Sequence, residues 1–334
     1  MSSLVFYLLT VAIFFCIYCI YGWGLNLQFG LTGILDFTYI TFVAIGAYFA
    51  GVAALQPGNG GIGGQYILGW HLPFPIPPII GGIAAAVLAI LVGYVGLKRL
   101  RSDYLAIVTV SVGQIVWTLI GNITPLFNGW DGLAGVPQPF NSVFQLDFNH
   151  YQWVFLVICV LFAALGFLII ERLTHSPFGR VLRAIREDED VAAALGKNVF
   201  RYKMMAFVIG SIYAGVGGAL TIAYIGAFNP SGFTTMETFI IWAAMLVGGS
   251  GNNRGMILGA FLVPVLFNEG TRFLPSPPGN PLLAESIRGM AIGLLLIFAA
   301  RYRPQGILPE RKTVFRLDGL PQGGEAGGDR LVPQ

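Results

Sequence analysis

The chain has 334 residues and a formal net charge of +3, yet charged residues make up only 10% of it and apolar residues 55%. Ordinary soluble domains carry about 25% charged residues, so this chain has too little polar surface to solvate a globule. Its apolar runs are continuous rather than alternating, which argues against a membrane β-barrel. The sequence predicts an all-α, polytopic helical membrane protein.

A bilayer core about 30 Å thick needs about 20 mostly apolar helical residues to cross it. Measured this way, the apolar runs predict about eight to ten transmembrane helices, within a membrane domain over residues 1–303. The predicted spans, in chain order, are 4–26, 31–55, 76–97, 103–123, 151–171, 204–228, 237–250, 255–272 and 283–300.

The first two segments leave two topologies open. If 4–26 and 31–55 both cross fully, the N-terminus lies outside. A broken or re-entrant path through 25–55 would instead place the N-terminus inside, and irregular backbone at membrane depth is tolerated where protein surrounds it. The glycines that would permit such a break are Gly22, Gly24, Gly30 and Gly33.

Cys16 and Cys19 form a Cys-x-x-Cys pair inside the first span. A metal site would need further His or carboxylate ligands, and the sequence offers none nearby. We therefore expect buried membrane cysteines, no metal and no cofactor.

Polar residues inside apolar spans are costly and mark transport pathways more often than chance. On this ground we predict a translocation path that includes four such residues. They are Asp36, Thr41, Gln114 and Glu237. For Asp36 the main alternative is a cap at a helix break.

Small residues recur at four-residue spacing in three of the spans, which allows helices to approach closely within or between subunits. These positions are Gly210, Ala214 and Gly218, then Gly255 and Gly259, then Gly289 and Gly293.

The placement of basic residues predicts the orientation. No Lys or Arg precedes Lys98, and the loops 56–75, 124–150, 229–236 and 273–282 carry none. By the positive-inside rule, the basic loops and the C-terminus are cytoplasmic and the bare loops face outward. We expect a multi-pass protein of a bacterial plasma (inner) membrane with a disordered cytoplasmic tail, residues 304–334, because that stretch is polar and Gly-rich. The bare loop 124–150 is either an external docking face or an ordinary connector.

Seven of the nineteen basic residues and the acidic run 187–190 fall in one loop, residues 172–203. Ser176 and Pro177 are typical of a helix start, with the Ser hydroxyl as cap. Arg183 and Glu187, like Arg186 and Asp190, are four apart and could pair on one helix. Gly196 is a plausible C-cap after an Ala-rich stretch. We predict a helix–turn–helix on the cytoplasmic surface.

The alternative interpretation of this loop is a solvated interfacial segment. A run of four acidic residues would be repelled by anionic lipid, which favours docking to a soluble protein partner.

The charged loop resembles the corresponding region of a known family. Residues 175–210, HSPFGRVLRAIREDEDVAAALGKNVFRYKMMAFVIG, resemble the cytoplasmic coupling region of branched-chain amino acid ABC transporter permeases, specifically the M-type subunit. The resemblance continues along most of the chain in the same order. It includes LTGILDFTYITFVAIGAYFAG (31–51), LRSDYLAIVTVSVGQIV (100–116), GWDGLAGVP (129–137), LVGGSGNNRGMILGA (246–260) and RYRPQGILPER (301–311).

The resemblance implies the membrane subunit of an importer for amino acids, expected to be leucine, isoleucine and valine. It also implies four partners besides membrane lipid: a second homologous permease, two cytoplasmic ATP-binding cassette subunits and an extracytoplasmic substrate-binding protein. No nucleic acid is expected. Carried onto this sequence, the ATPase contact comprises Arg180, Arg183, Arg186, Glu187, Asp190, Ala192, Ala193 and Gly196. The general coupling pattern, Glu-Ala-Ala followed by Gly, is present only loosely, as Asp190-Val191-Ala192 before Gly196.

The chain itself is not expected to be an enzyme. A phosphate-binding loop needs Gly-x-x-x-x-Gly-Lys-Ser/Thr, whereas the sole Gly-Lys, at Gly196 and Lys197, is followed by Asn198. Energy would therefore come from another polypeptide.

Two alternatives to a branched-chain importer stay open. Urea or short-chain amide permeases share the same architecture. An ion-coupled secondary transporter is a different class, and it would favour membrane-embedded Lys, Glu and His relays. Here no Lys lies in a predicted span, and all three histidines lie in loops: His71, His150 and His175.

Overall fold

The computed structural model describes residues 3–56, 69–99, 102–140, 148–268, 270, 282–303 and 305–310. Within these ranges the chain is mainly helical. The helices are α1 Ser3–Leu25, α2 Tyr39–Ala54, α3 Ile76–Arg99, α4 Ser102–Asn122, α5 Thr124–Phe127, α6 Phe148–His175, α7 Pro177–Glu187, α8 Glu189–Ala194, α9 Val199–Ile225, α10 Thr235–Gly248, α11 Asn253–Ala260 and α12 Leu282–Tyr302. Two of them continue as π-helix: α1 over Asn26–Gly30 and α11 over Phe261–Asn268.

Among these residues, six helical segments are long and apolar enough to cross a membrane. They are Leu4–Gly30, Ile76–Lys98, Tyr104–Asn122, His150–His175, Val199–Ile225 and Pro230–Gly248. Two shorter apolar helices, Tyr39–Ala54 and Asn253–Phe267, match two further predicted spans. The predicted all-α polytopic membrane fold is confirmed.

A two-stranded antiparallel pair, which the sequence did not predict, joins two of the loops. Strand β1, Leu133–Ala134, pairs with β2, Ala227–Phe228, with Leu133 opposite Phe228. This pair ties the loop after α4 to the end of α9.

Helix α9 is the centre of the bundle and packs against α1, α2 and α3. Its glycines allow close approach, because a Cβ placed at Gly218 would lie 2.1 Å from the carbonyl oxygen of Val43. Gly259 in α11 similarly faces Ala244 in α10. These small residues pack within the chain, whereas a Cβ at Gly293 would meet no atom within 4 Å among the described residues.

The helix ends that carry basic residues meet at one end of the bundle. The rings of Tyr94 and Phe200 lie 6.4 Å apart, and Arg254 Nη2 lies 4.0 Å from Glu171 Oε1. We call this the basic end. The basic residues near it are Lys98, Arg172, Arg201, Arg254 and Arg301.

Helix α1 starts at the opposite end, where Thr10 Oγ1 lies 2.9 Å from the hydroxyl of Tyr224 near the end of α9. It finishes at the basic end, where the Gly30 carbonyl accepts a hydrogen bond from Arg186. Residues 31–38 are non-helical, and α2 then returns to the opposite end, where the Leu55 carbonyl accepts from His71. Both segments therefore cross, and Ser3 lies at the end opposite the basic residues. The re-entrant alternative is wrong, because the segment 31–55 starts at the basic end and finishes at the opposite end instead of returning to the end where it started.

Part of the predicted tail is structured. The Ile307 N–H donates to the Val247 carbonyl (2.9 Å) and the Leu308 N–H to the Gly248 carbonyl (3.1 Å). These carbonyls belong to the last turn of α10, where helical partners run out, so they bind the following chain. The disorder predicted from residue 304 is thus wrong for residues 305–310, which we call the C-terminal strap. Residues 311–334 lie outside the described residues.

Candidate functional site

The charged loop folds as two short helices with a sharp break between them. Asp188 is extended (φ −156°, ψ 114°), and its carboxylate accepts from the N–H groups of Asp190 (2.9 Å) and Val191 (3.0 Å). Asp188 is therefore the N-cap of α8. At the start of α7 the predicted Ser176 cap is wrong, because its hydroxyl instead donates to the Leu173 carbonyl at 2.7 Å.

Gly196 ends α8 in the predicted way. It has φ +77°, a region that favours glycine, and its N–H donates to the Ala193 carbonyl at 2.9 Å. The next N–H, that of Lys197, donates to the Ala192 carbonyl at 3.2 Å. These two bonds are the Schellman arrangement, so the C-cap prediction is confirmed.

The two ion pairs predicted within the loop are wrong. Arg183 Nε donates to Glu310 Oε1 at 2.5 Å, and Arg186 Nη2 donates to Glu310 Oε2 at 2.7 Å. The break at Asp188 takes Asp190 off the helix that carries Arg186. Both guanidinium groups therefore point toward the strap.

The eight residues expected to contact the ATPase fall into three groups. Five are exposed: Arg180, Glu187, Asp190, Ala193 and Gly196. Two, Arg183 and Arg186, are half-buried by Glu310, and Ala192 is buried. Only five of the eight residues expected at the ATPase contact are therefore exposed on the outer surface of the loop.

Sequence reasoning missed two residues on that surface. Val191, on α8, is 55% exposed, and Leu195, the C-cap residue of α8, is 74% exposed; both lie away from the buried Ala192. Their i, i+4 spacing was a usable signal, because it places them on one face of a helix. This exposed apolar pair lies outside the apolar spans, beside the exposed acidic residues Glu187 and Asp190.

The loop is fixed firmly to the bundle. Leu182 and Ile185 of α7 are buried, and the ring of Phe178 lies 5.9 Å from that of Tyr202 in α9. Lys203 of α9 forms an ion pair with Glu189 of α8. A force applied to α8 would therefore reach α9 directly.

Two predicted path residues share one cavity. Thr41 of α2 and Gln114 of α4 both line a space of about 230 Å³, together with Trp117. Thr234 and Thr235, at the start of α10, and Tyr48 of α2 add further hydroxyl-bearing side chains to its lining. A small amphipathic solute would find both apolar walls and hydrogen-bonding groups here.

Glu237 lies in a neighbouring cavity of about 460 Å³. It accepts a hydrogen bond from Tyr18 at 3.2 Å, and Asp131 lies in the same lining. Ile40 and Phe233 line both cavities, so they form the wall between them.

Asp36 lines neither of these two cavities. It is fully buried, and its Oδ1 accepts from the Thr38 N–H at 2.8 Å, two residues along. Its carbonyl accepts from Trp242 Nε1 at 3.0 Å. This is an Asx turn in the non-helical segment just before α2, whose N-cap residue is Thr38. Asp36 Oδ2 has no hydrogen-bond partner among the described residues.

Comparison with known proteins assigns the chain to a family. Residues 7–300 match the family described as branched-chain amino acid transport system / permease component. The chain belongs to this family. It is 32% identical to the high-affinity branched-chain amino acid transport system permease protein LivM of Escherichia coli K12, over 93% of this chain and 72% of that protein.

The M-type resemblance extends to archaea. A probable LivM permease of Methanocaldococcus jannaschii is 30% identical over 91% of this permease and 94% of its own length. The Escherichia coli K12 permease protein LivH is 28% identical over 89% of this permease and 93% of its own length. No solved structure matches.

Proposed function

We propose that this permease is the membrane subunit of an ATP-driven importer that forms the translocation path for branched-chain amino acids. The observation that carries this proposal is the pair α7–α8: α8 is capped by Asp188 and Gly196, the pair is fixed to α9, and it presents an exposed apolar edge outside the apolar spans. The family match supports the substrate class. By the positive-inside rule, the basic end is the cytoplasmic end.

The outer edge of α8 is proposed as the ATPase contact. Val191 and Leu195 supply the apolar surface, and Glu187 and Asp190 supply charge at its rim. Apolar anchors carry most of the energy of an interface, while rim charges mainly set orientation and specificity. The permease hydrolyses no ATP itself under this proposal, since energy arrives through α7–α8.

A second homologous permease and an external binding protein complete the proposed assembly. Ser111, Gln114 and Thr118 are exposed on α4 at membrane depth. Polar groups there favour a protein or aqueous neighbour over lipid, so we place the second permease on this face. The similarity to both M- and H-type relatives supports a pair of non-identical permeases. The binding protein would dock at the opposite end, near β1 and β2.

Thr41 and Gln114 are proposed to lie on the path, with Glu237 in the adjoining cavity and Asp36 fixing the break before α2. Replacing Gln114 with leucine should raise the half-saturating leucine concentration about tenfold, because one polar contact to the solute is lost. Initial-rate uptake in proteoliposomes measures this. The control is Ile115→Leu, the next exposed residue on α4. An equal half-saturating leucine concentration in the two variants would show that Gln114 does not lie on the path.

Substrate competition tests the proposed cargo. The permease, its second permease, the ATPases and the binding protein are reconstituted together, and uptake of radiolabelled leucine is measured. Isoleucine and valine should compete, whereas urea and short-chain amides should not. Competition by urea or acetamide alone would favour the alternative within the same architecture.

A further inference from the structure

The C-terminal strap, residues 305–310, joins elements that are distant in sequence. Its backbone pairs with the end of α10, as described above. Asn252, in the turn between α10 and α11, donates to the carbonyls of Leu308 and Pro309, each at 3.2 Å. The strap is therefore held by the helix pair α10–α11, and its last described residue, Glu310, projects onto α7.

Glu310 receives two guanidinium groups at once. Arg183 and Arg186 each contact a different carboxylate oxygen, at 2.5 and 2.7 Å. Glu310 is only 18% exposed, and the two arginine side chains are 30% and 28% exposed. Charge-assisted hydrogen bonds of this kind are stronger than neutral ones and fix geometry.

Arg186 continues the connection to the transport helices. Its Nη1 donates to the Gly30 carbonyl, at the end of the π-helical turn of α1. A Cβ at Gly33 would lie 3.4 Å from Arg186 Cγ, so the arginine stem lies against the start of the non-helical segment 31–38. At the far end of that segment, Thr38 Oγ1 donates to the Thr109 carbonyl of α4 at 2.5 Å.

One side of α7 is held by these contacts rather than by packing. A cavity of about 550 Å³ lies between α7, the end of α6, the α10–α11 turn and the strap. Arg183 and Glu310 line it, as do Glu171 and His175. Leu182 and Ile185 hold α7 by packing elsewhere, whereas on this side its position depends on the contacts with Glu310.

We infer that Glu310 is a positioning residue that transmits movement of α7 to the segment 31–38, and through it to the cavity between α2 and α4. This inference rests on the proposed function. It assigns the strap a role in coupling ATP hydrolysis to transport, since Glu310 connects the ATPase-facing loop to α10–α11 and orients Arg186 on Gly30. Without the carboxylate, two adjacent guanidinium groups repel each other and α7 is released from the strap.

The test uses the complete reconstituted transporter and measures leucine uptake and ATP hydrolysis in the same vesicles. Glu310→Gln should lower uptake at least about fivefold while hydrolysis changes by less than about twofold, which is the size of a typical coupling between sites. Glu310→Asp, which keeps a carboxylate between the two guanidinium groups, should retain more of the ratio of uptake to hydrolysis than Glu310→Gln does. The matched control is Glu171→Gln, which removes a carboxylate of the same cavity that contacts α11 and not α7.

Two outcomes would overturn the inference. The first is an unchanged ratio of uptake to hydrolysis in Glu310→Gln, and the second is an equal fall of that ratio in Glu171→Gln. If Glu310→Gln does not assemble, Glu310→Asp keeps the charge but shortens its reach, and the same ratio is compared. A wild-type complex without ATP-dependent uptake would instead contradict the proposed function itself.

Discussion

Replacing Leu195 with glutamate should detach the ATPase from an otherwise intact permease. Leu195 is 74% exposed, so the folded permease loses no packing. An apolar anchor at the centre of an interface contributes about 2–4 kcal/mol, so binding should weaken roughly 30- to 700-fold. The measurement is the dissociation constant of the purified ATPase for the permease pair in detergent or nanodiscs.

The control for this variant is Tyr302→Glu, because Tyr302 is equally exposed, also at the basic end, but lies on α12. It should bind the ATPase as the wild type does. Leu195→Ala should give an intermediate loss. Unchanged ATPase binding by Leu195→Glu would show that α8 is not the docking element.

The substitution Gly218→Ala, which adds a single carbon, should lower the stability of the helix bundle. Its Cβ would lie 2.1 Å from the Val43 carbonyl oxygen and 3.2 Å from the Ala47 nitrogen, so α2 and α9 must move apart. Overpacking of this kind costs about 1–3 kcal/mol. The measurement is the midpoint of thermal unfolding in detergent, followed by size-exclusion recovery.

Gly293→Ala is the matched control, since Gly293 is also helical but its Cβ would meet no atom within 4 Å in the part of the chain that the structure describes. That change should be neutral or stabilise the protein by up to about 1 kcal/mol, because alanine favours helix over glycine. Gly218→Ala should therefore lower the midpoint of thermal unfolding, whereas Gly293→Ala should leave it unchanged or raise it. A stable Gly218→Ala protein would contradict the close α2–α9 contact.

The sequence predicted the architecture well because long apolar runs leave few alternatives. It could not settle residues 25–55, since a break at glycine is compatible with either a crossing or a re-entrant path. The structure resolves this through contacts distant in sequence, such as Gly30 with Arg186 and Thr10 with Tyr224. Charge counts near the N-terminus contained no such information.

Within the charged loop, the sequence predicted the cap formed by neighbouring residues correctly, but it predicted the wrong ion-pair partners for the arginines. The Gly196 cap was predictable because it depends on neighbouring residues and on a positive φ. The partners of Arg183 and Arg186 were not, because Glu310 lies more than 120 residues away and spacing along a helix favours local pairs. The polar, Gly-rich composition from residue 304 onward similarly predicted disorder, whereas residues 305–310 bind the free carbonyls at the end of α10.

The energy source for leucine accumulation is the most direct test of ATP-driven import by this permease. Vesicles containing the permease pair, the ATPases and the binding protein are loaded with ATP, and internal leucine is compared with the external concentration. We predict accumulation with active ATPase, and none when the ATPase carries a substitution that blocks hydrolysis, whatever proton or sodium gradient is imposed. Accumulation by the permease without any ATPase, driven by an ion gradient alone, would contradict the account.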